Sequence, residues 1–117
     1  MPQNNLSEGE SGALHAYLTA AQARFGPQLV EVFLFGSKAR GEASPSSDVD
    51  IVVILDRPTA QDLSDARGLG FDILLNHGVY LSMRAMSRQA WQTLATRQSM
   101  FYRNVLRDGI FLVPAAT

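Results

Sequence analysis

The fold is decided by Phe35-Gly36-Ser37-Lys38-Ala39-Arg40-Gly41-Glu42 and, five residues later, Ser47-Asp48-Val49-Asp50-Ile51-Val52-Val53-Ile54-Leu55. Upstream of Gly36, Leu29-Val30-Glu31-Val32-Phe33-Leu34-Phe35 is short, β-branched and aromatic, and bounded by Pro27 and Gly36. This predicts a strand buried on nearly both faces. Downstream, residues 48–55 predict a second strand, ended by Asp56-Arg57-Pro58. The two strands form a hairpin-like pair joined by a long loop over 36–47.

The loop and the second strand carry chemistry. A strand that ends in Gly36-Ser37 turns sharply, and Gly36 offers no Cβ to obstruct an approaching phosphate. Ser37 adds a hydroxyl and a backbone N–H where a short helix would begin, a position that attracts anions. Asp48 and Asp50, two apart on a strand, point to the same face with Cα atoms roughly 6.5–7 Å apart. Ile51, Val53 and Leu55 then face the core. Converging carboxylates repel unless a hard, oxygen-ligated cation sits between them, and magnesium bridging to phosphate oxygens is the expected solution. Beside a phosphate-binding turn, the pair implies in-line nucleotidyl or phosphoryl transfer.

Working outward, Ser7 with Glu10 has the form of a capping box, and Leu14, Leu18, Ala21 and Phe25 recur at helical spacing until Gly26-Pro27, which predicts a helix over 7–25. Thr59 can cap a second helix running to Asn76-His77-Gly78, although Gly68 and Gly70 weaken it. Residues 79–86 suggest a third strand. Ser87 can cap a helix through Trp91 and Leu94, and residues 100–108 form a last amphipathic stretch before Gly109 and an apolar segment, 110–113. This order predicts an α+β (α/β two-layer) fold, a small mixed β-sheet flanked by helices. One domain over 1–117 is expected, with loose ends at 1–6 and 114–117.

Composition excludes several classes. A length of 117 residues leaves no room for a second, substrate-binding lobe, so the acceptor comes from outside. With 10 basic and 11 acidic residues the formal net charge is -1, which argues against direct nucleic-acid binding. Cys is absent, so disulfides, zinc-thiolate sites and cysteine nucleophiles drop out. No apolar run approaches the roughly 18–20 residues that span a bilayer, and residues 1–12 do not resemble a signal peptide, so a cytoplasmic setting is expected.

Gly36, Ser37, Ala39, Arg40, Gly41, Ser47, Asp48 and Asp50 together resemble the signature of the DNA polymerase beta superfamily of nucleotidyltransferases, and specifically its smallest, MNT-type domains. The resemblance covers most of the chain. It implies a nucleotidyltransferase-like fold and transfer of a nucleoside monophosphate, AMP from ATP, with Mg2+ as cofactor. Asp48 and Asp50 become the catalytic and metal-holding residues, and Gly36, Ser37, Arg40 and Ser47 the nucleotide-binding ones. It also implies a partner: such domains are the antitoxin half of pairs whose other half is a helical HEPN toxin modified on a tyrosine hydroxyl, which allows a hetero-oligomer.

One departure stands out. The family draws a third carboxylate from the strand after the second helix, whereas Val79-Tyr80-Leu81-Ser82-Met83-Arg84-Ala85-Met86 holds no acid, and Ser82 or Arg84 would occupy that position. Asp72 is a conceivable substitute, but it falls in the second helix. The alternative function is therefore a weak or inactive nucleotidyltransferase-fold antitoxin that acts by direct protein–protein binding. Small-molecule nucleotidyl transfer of the antibiotic-modifying kind is disfavoured by the absent second lobe. The plainer readings are two solvated loop-end carboxylates at Asp48 and Asp50, an exposed ion pair from Arg40 to Glu42 or to a helix end in place of phosphate contacts by Lys38 and Arg40, no role for His15 or His77, and core positions for Phe101, Tyr102, Val105 and Leu106, with a partner-facing position as the alternative for some of them.

Overall fold

A computed structural model describes residues 6–36 and 48–113. Helix α1 spans Glu8–Phe25, strand β1 Leu29–Phe35, β2 Val49–Leu55, helix α2 Ala60–His77, β3 Leu81–Ser87, α3 Arg88–Thr96, α4 Met100–Asp108 and β4 Ile110–Val113. The strands form one mixed sheet in the order β3-β2-β1-β4. β1 runs antiparallel to β2 and to β4, whereas β2 and β3, joined through α2, run parallel. This is the expected α+β architecture, a small mixed sheet flanked by helices.

The helix ends follow the local chemistry read from the sequence. Ser7 Oγ accepts from the Glu10 N–H at 3.1 Å while the Ser7 N–H donates to Glu10 Oε1 at 2.9 Å. Thr59 and Asp62 repeat that reciprocal pair at the start of α2, and Gly78 closes it in the left-handed conformation, φ 69°. Ser87 ends β3 and caps α3 in one residue, its Oγ accepting from the Ala90 N–H.

α2 runs unbroken through Gly68 and Gly70, as the expected helix requires. At Gly70 the reason is visible: a Cβ there would stand 2.9 Å from the Met83 methyl, so the glycine lets helix and sheet approach closely. The segment 110–113, read only as apolar, is the strand β4 paired with β1.

The sheet is covered on both faces. Val49, Ile51, Val53 and Leu55 of β2 join Ala13, Leu14, Tyr17, Ala21 and Phe25 of α1 and Ala66 and Ile73 of α2 in one core. Val52 and Ile54 face the other way, against Phe33, Trp91 of α3 and Val105 of α4. At about 1.5–3 kcal/mol per fully buried aliphatic side chain, this double burial makes β2 the rigid spine of the molecule. Inside the first core the Tyr17 hydroxyl donates to the Ala66 carbonyl at 3.0 Å and lies 3.4 Å from Met83 Sδ, and burial pushes its pKa up. At the far end of α1, Arg24 Nη2 pairs with Asp62 at 3.1 Å and Asp65 at 2.8 Å, tying α1 to α2. None of the helices among the described residues is long and apolar enough to cross a membrane.

Candidate functional site

The alternation of β2 determines which way its acid points. Since Ile51, Val53 and Leu55 fill the α1/α2 core, Asp50 shares the opposite face with Val52 and Ile54. It sits at the N-terminal end of that row, half-buried, paired across the sheet with Phe35 of β1 and Ser82 of β3. Asp48 is exposed and stands one residue before the strand begins, not within it as expected. The spine thus places Asp50 near its N-terminal end, between β1 and β3.

Gly36 follows the last residue of β1 and has φ 75°. A Cβ built there would lie 2.5 Å from Asp50 Oδ2 and 3.3 Å from its carboxyl carbon. The turn out of β1 and the carboxylate on β2 are therefore pressed together, and only a residue without a side chain fits between them. Gly36 and Asp50 are brought together as the sequence implied. Ser37, Arg40 and Ser47, together with Lys38, Ala39, Gly41 and Glu42, lie outside the described residues.

β3 supplies no acid. In the parallel register Ser82 stands beside Asp50 and Arg84 beside Val52, so both rise on the face that carries Asp50. Asp72 is exposed on α2, in a cleft with Arg24 and Asp65, and α2 packs on the other face of the sheet. It cannot replace the missing carboxylate without crossing the sheet. Among the described residues no group of three His, Cys, Asp or Glu side chains is placed to hold a metal ion. His15 and His77 are both exposed.

Aromatic residues wall the Asp50 face. Phe35 meets Phe101 of α4 edge-on at 5.5 Å between centroids, and Phe101 meets Trp91 at 6.4 Å. The Arg84 guanidinium lies 4.9 Å above the Phe101 ring. Val105 is fully buried as expected and Phe101 and Tyr102 are half-buried, but Leu106 is exposed. Arg84 is the one charged residue of β3, and its aromatic partner is distant in sequence.

With that geometry in place, comparison with known proteins is informative. The pattern of the nucleotidyltransferase domain family matches residues 16–98. A protein named "Putative protein adenylyltransferase MJ0604", from Methanocaldococcus jannaschii, is 28% identical over 100 residues, covering 86% of this chain and 94% of its own. The solved structure of a "putative minimal nucleotidyltransferase" superposes with TM-score 0.58 at 30% identity, covering 86% of this chain and 89% of that one. A toxin–antitoxin complex solved with AMP-PNP contains a chain of the same fold, TM-score 0.54 at 18% identity, covering 85% of this chain and 72% of that one.

Proposed function

The chain belongs to the nucleotidyltransferase domain family, and on that premise we propose that it transfers AMP from ATP to a hydroxyl on a partner protein, as the antitoxin half of a HEPN/MNT toxin–antitoxin pair. The observation that carries the reading is the contact between Gly36 and Asp50. It brings the turn out of β1 against a carboxylate anchored on the most deeply buried strand. A protein acceptor agrees with the adenylyltransferase relative and with the toxin–antitoxin fold neighbour.

In this reading Ser37, Arg40 and Ser47 bind the triphosphate together with the Gly36 backbone. The acceptor oxygen forms a bond to the α-phosphorus, the bond from that phosphorus to the bridging oxygen breaks, and pyrophosphate leaves. The acceptor's proton passes to water, because β3 offers no carboxylate beside Asp50. The donor set fits Mg2+: two carboxylates at a strand end suit an ion that keeps several waters and binds through one or two acids plus substrate phosphates. Asp48 and Asp50 would hold it, and when bound it supplies neutralising charge on the phosphates. The test is intact-mass analysis of a copurified partner after incubation with ATP and Mg2+, where the expected result is a gain of one adenylyl unit, absent with Asp48→Asn.

A second reading, neutralisation by contact alone, is favoured by Ser82 and Arg84 standing where an acid would complete the site. Coexpression separates the two. A contact antitoxin carrying both Asp48→Asn and Asp50→Asn would protect as well as the unaltered chain, and a transferase would not.

A further inference from the structure

We propose that Arg84 grips the polyphosphate of the bound nucleoside triphosphate, an assignment that rests on the transferase reading of the same site. β3 is an edge strand, and a long cation on such a strand ordinarily extends into water. Arg84 is exposed too, but its guanidinium has a neighbour. Its guanidinium lies over Phe101, and Phe101 in turn packs against Phe35 of β1, two strands away from β3. The contact sets the guanidinium on the sheet face that carries Asp50.

The strand registers fix the neighbourhood. Arg84 pairs with Val52, and Ser82, two residues earlier, pairs with Asp50. Strand spacing and rise put the Arg84 and Asp50 Cα atoms about 8 Å apart on one face, close enough for a phosphate bound beside Asp50 to meet the guanidinium. Phe101 lies against the guanidinium at 4.9 Å, a cation–π contact that uses none of its N–H donors in a hydrogen bond. Among the described residues Arg84 has no carboxylate partner, so this fork is not consumed by an internal ion pair. A guanidinium fork matches phosphate oxygens in a way an ammonium does not. Beside two carboxylates, it also lowers the local negative charge that would otherwise repel an incoming polyphosphate.

The test is calorimetric titration of the full chain with ATP and Mg2+, and with adenosine as a probe without phosphates, for the unaltered protein, Arg84→Gln, Arg84→Lys and Asp50→Asn. Arg84→Gln should weaken ATP binding about 10-fold, Arg84→Lys less, and neither should change adenosine binding or thermal stability. The dependence of ATP affinity on salt should also become shallower in Arg84→Gln. If Arg84→Gln binds ATP as the unaltered chain does, or loses adenosine equally, the assignment of Arg84 is wrong while the transferase reading stands. If the unaltered chain binds no ATP, both fall. Retained ATP binding with no adenylylated partner counts against transfer alone.

Discussion

The backbone of Gly36 lies so close to the Asp50 carboxylate that a single added methyl would overlap Oδ2, at 2.5 Å. Gly36 also has φ 75°, in the left-handed region. Gly36→Ala should therefore act twice. The backbone conformation costs about 1–2 kcal/mol for a residue with a Cβ, and the carboxylate must swing away. We expect a modestly lowered Tm with transfer reduced at least as far as in Asp50→Asn. Circular dichroism and the adenylylation assay measure the two effects separately.

Gly68 provides the converse. It lies exposed inside α2, and a Cβ there meets nothing within 4 Å. Gly68→Ala should stabilise the chain by about 1 kcal/mol from helix propensity alone. A rise in the urea midpoint without change in slope would show it.

Tyr17 is fully buried, and its hydroxyl donates to the Ala66 carbonyl. Tyr17→Phe leaves that carbonyl short of one partner and should cost about 1 kcal/mol. Tyr17→Ala opens a cavity between α1 and the sheet and should cost about 3–5 kcal/mol, enough to bring the chain near unfolding. Chemical denaturation of both variants orders them.

Stability should also depend on acid through Asp62. The Thr59 backbone N–H, then Gln28 and Arg24, hold its pKa down from 3.8 to about 2. A carboxylate with a depressed folded-state pKa stabilises the fold above its unfolded value, and that contribution drains away as pH falls from near 4 towards 2. Thermal melts across this window should show a steeper loss for the unaltered chain than for Asp62→Asn.

Much of the fold was legible because its signals are local. The Ser7–Glu10 and Thr59–Asp62 caps and Gly78 mark helix ends through contacts within four residues, and β1 and β2 announce themselves by composition. β4 did not, because four apolar residues after a glycine become a strand only by pairing with β1, some eighty residues earlier in the chain. Gly70 looked like a defect in a helix until Met83 gave it a reason. At the site, Asp50 and Gly36 were readable from spacing, while the turn of Arg84 towards Phe101 depends on α4 folding back over the sheet. Such a long-range contact leaves no trace in the sequence pattern.

The most direct test of the central claim is to incubate the chain, with the partner it captures from its own cells, with Mg2+ and ATP labelled at the α-phosphate, following label on protein and pyrophosphate released, for the unaltered chain and Asp50→Asn. The account predicts label and pyrophosphate in equal amounts from the unaltered chain and at least a hundredfold less, about 2.7 kcal/mol or more of transition-state stabilisation, from the variant. Equal labelling by both, or pyrophosphate released with no label on any protein, would contradict it.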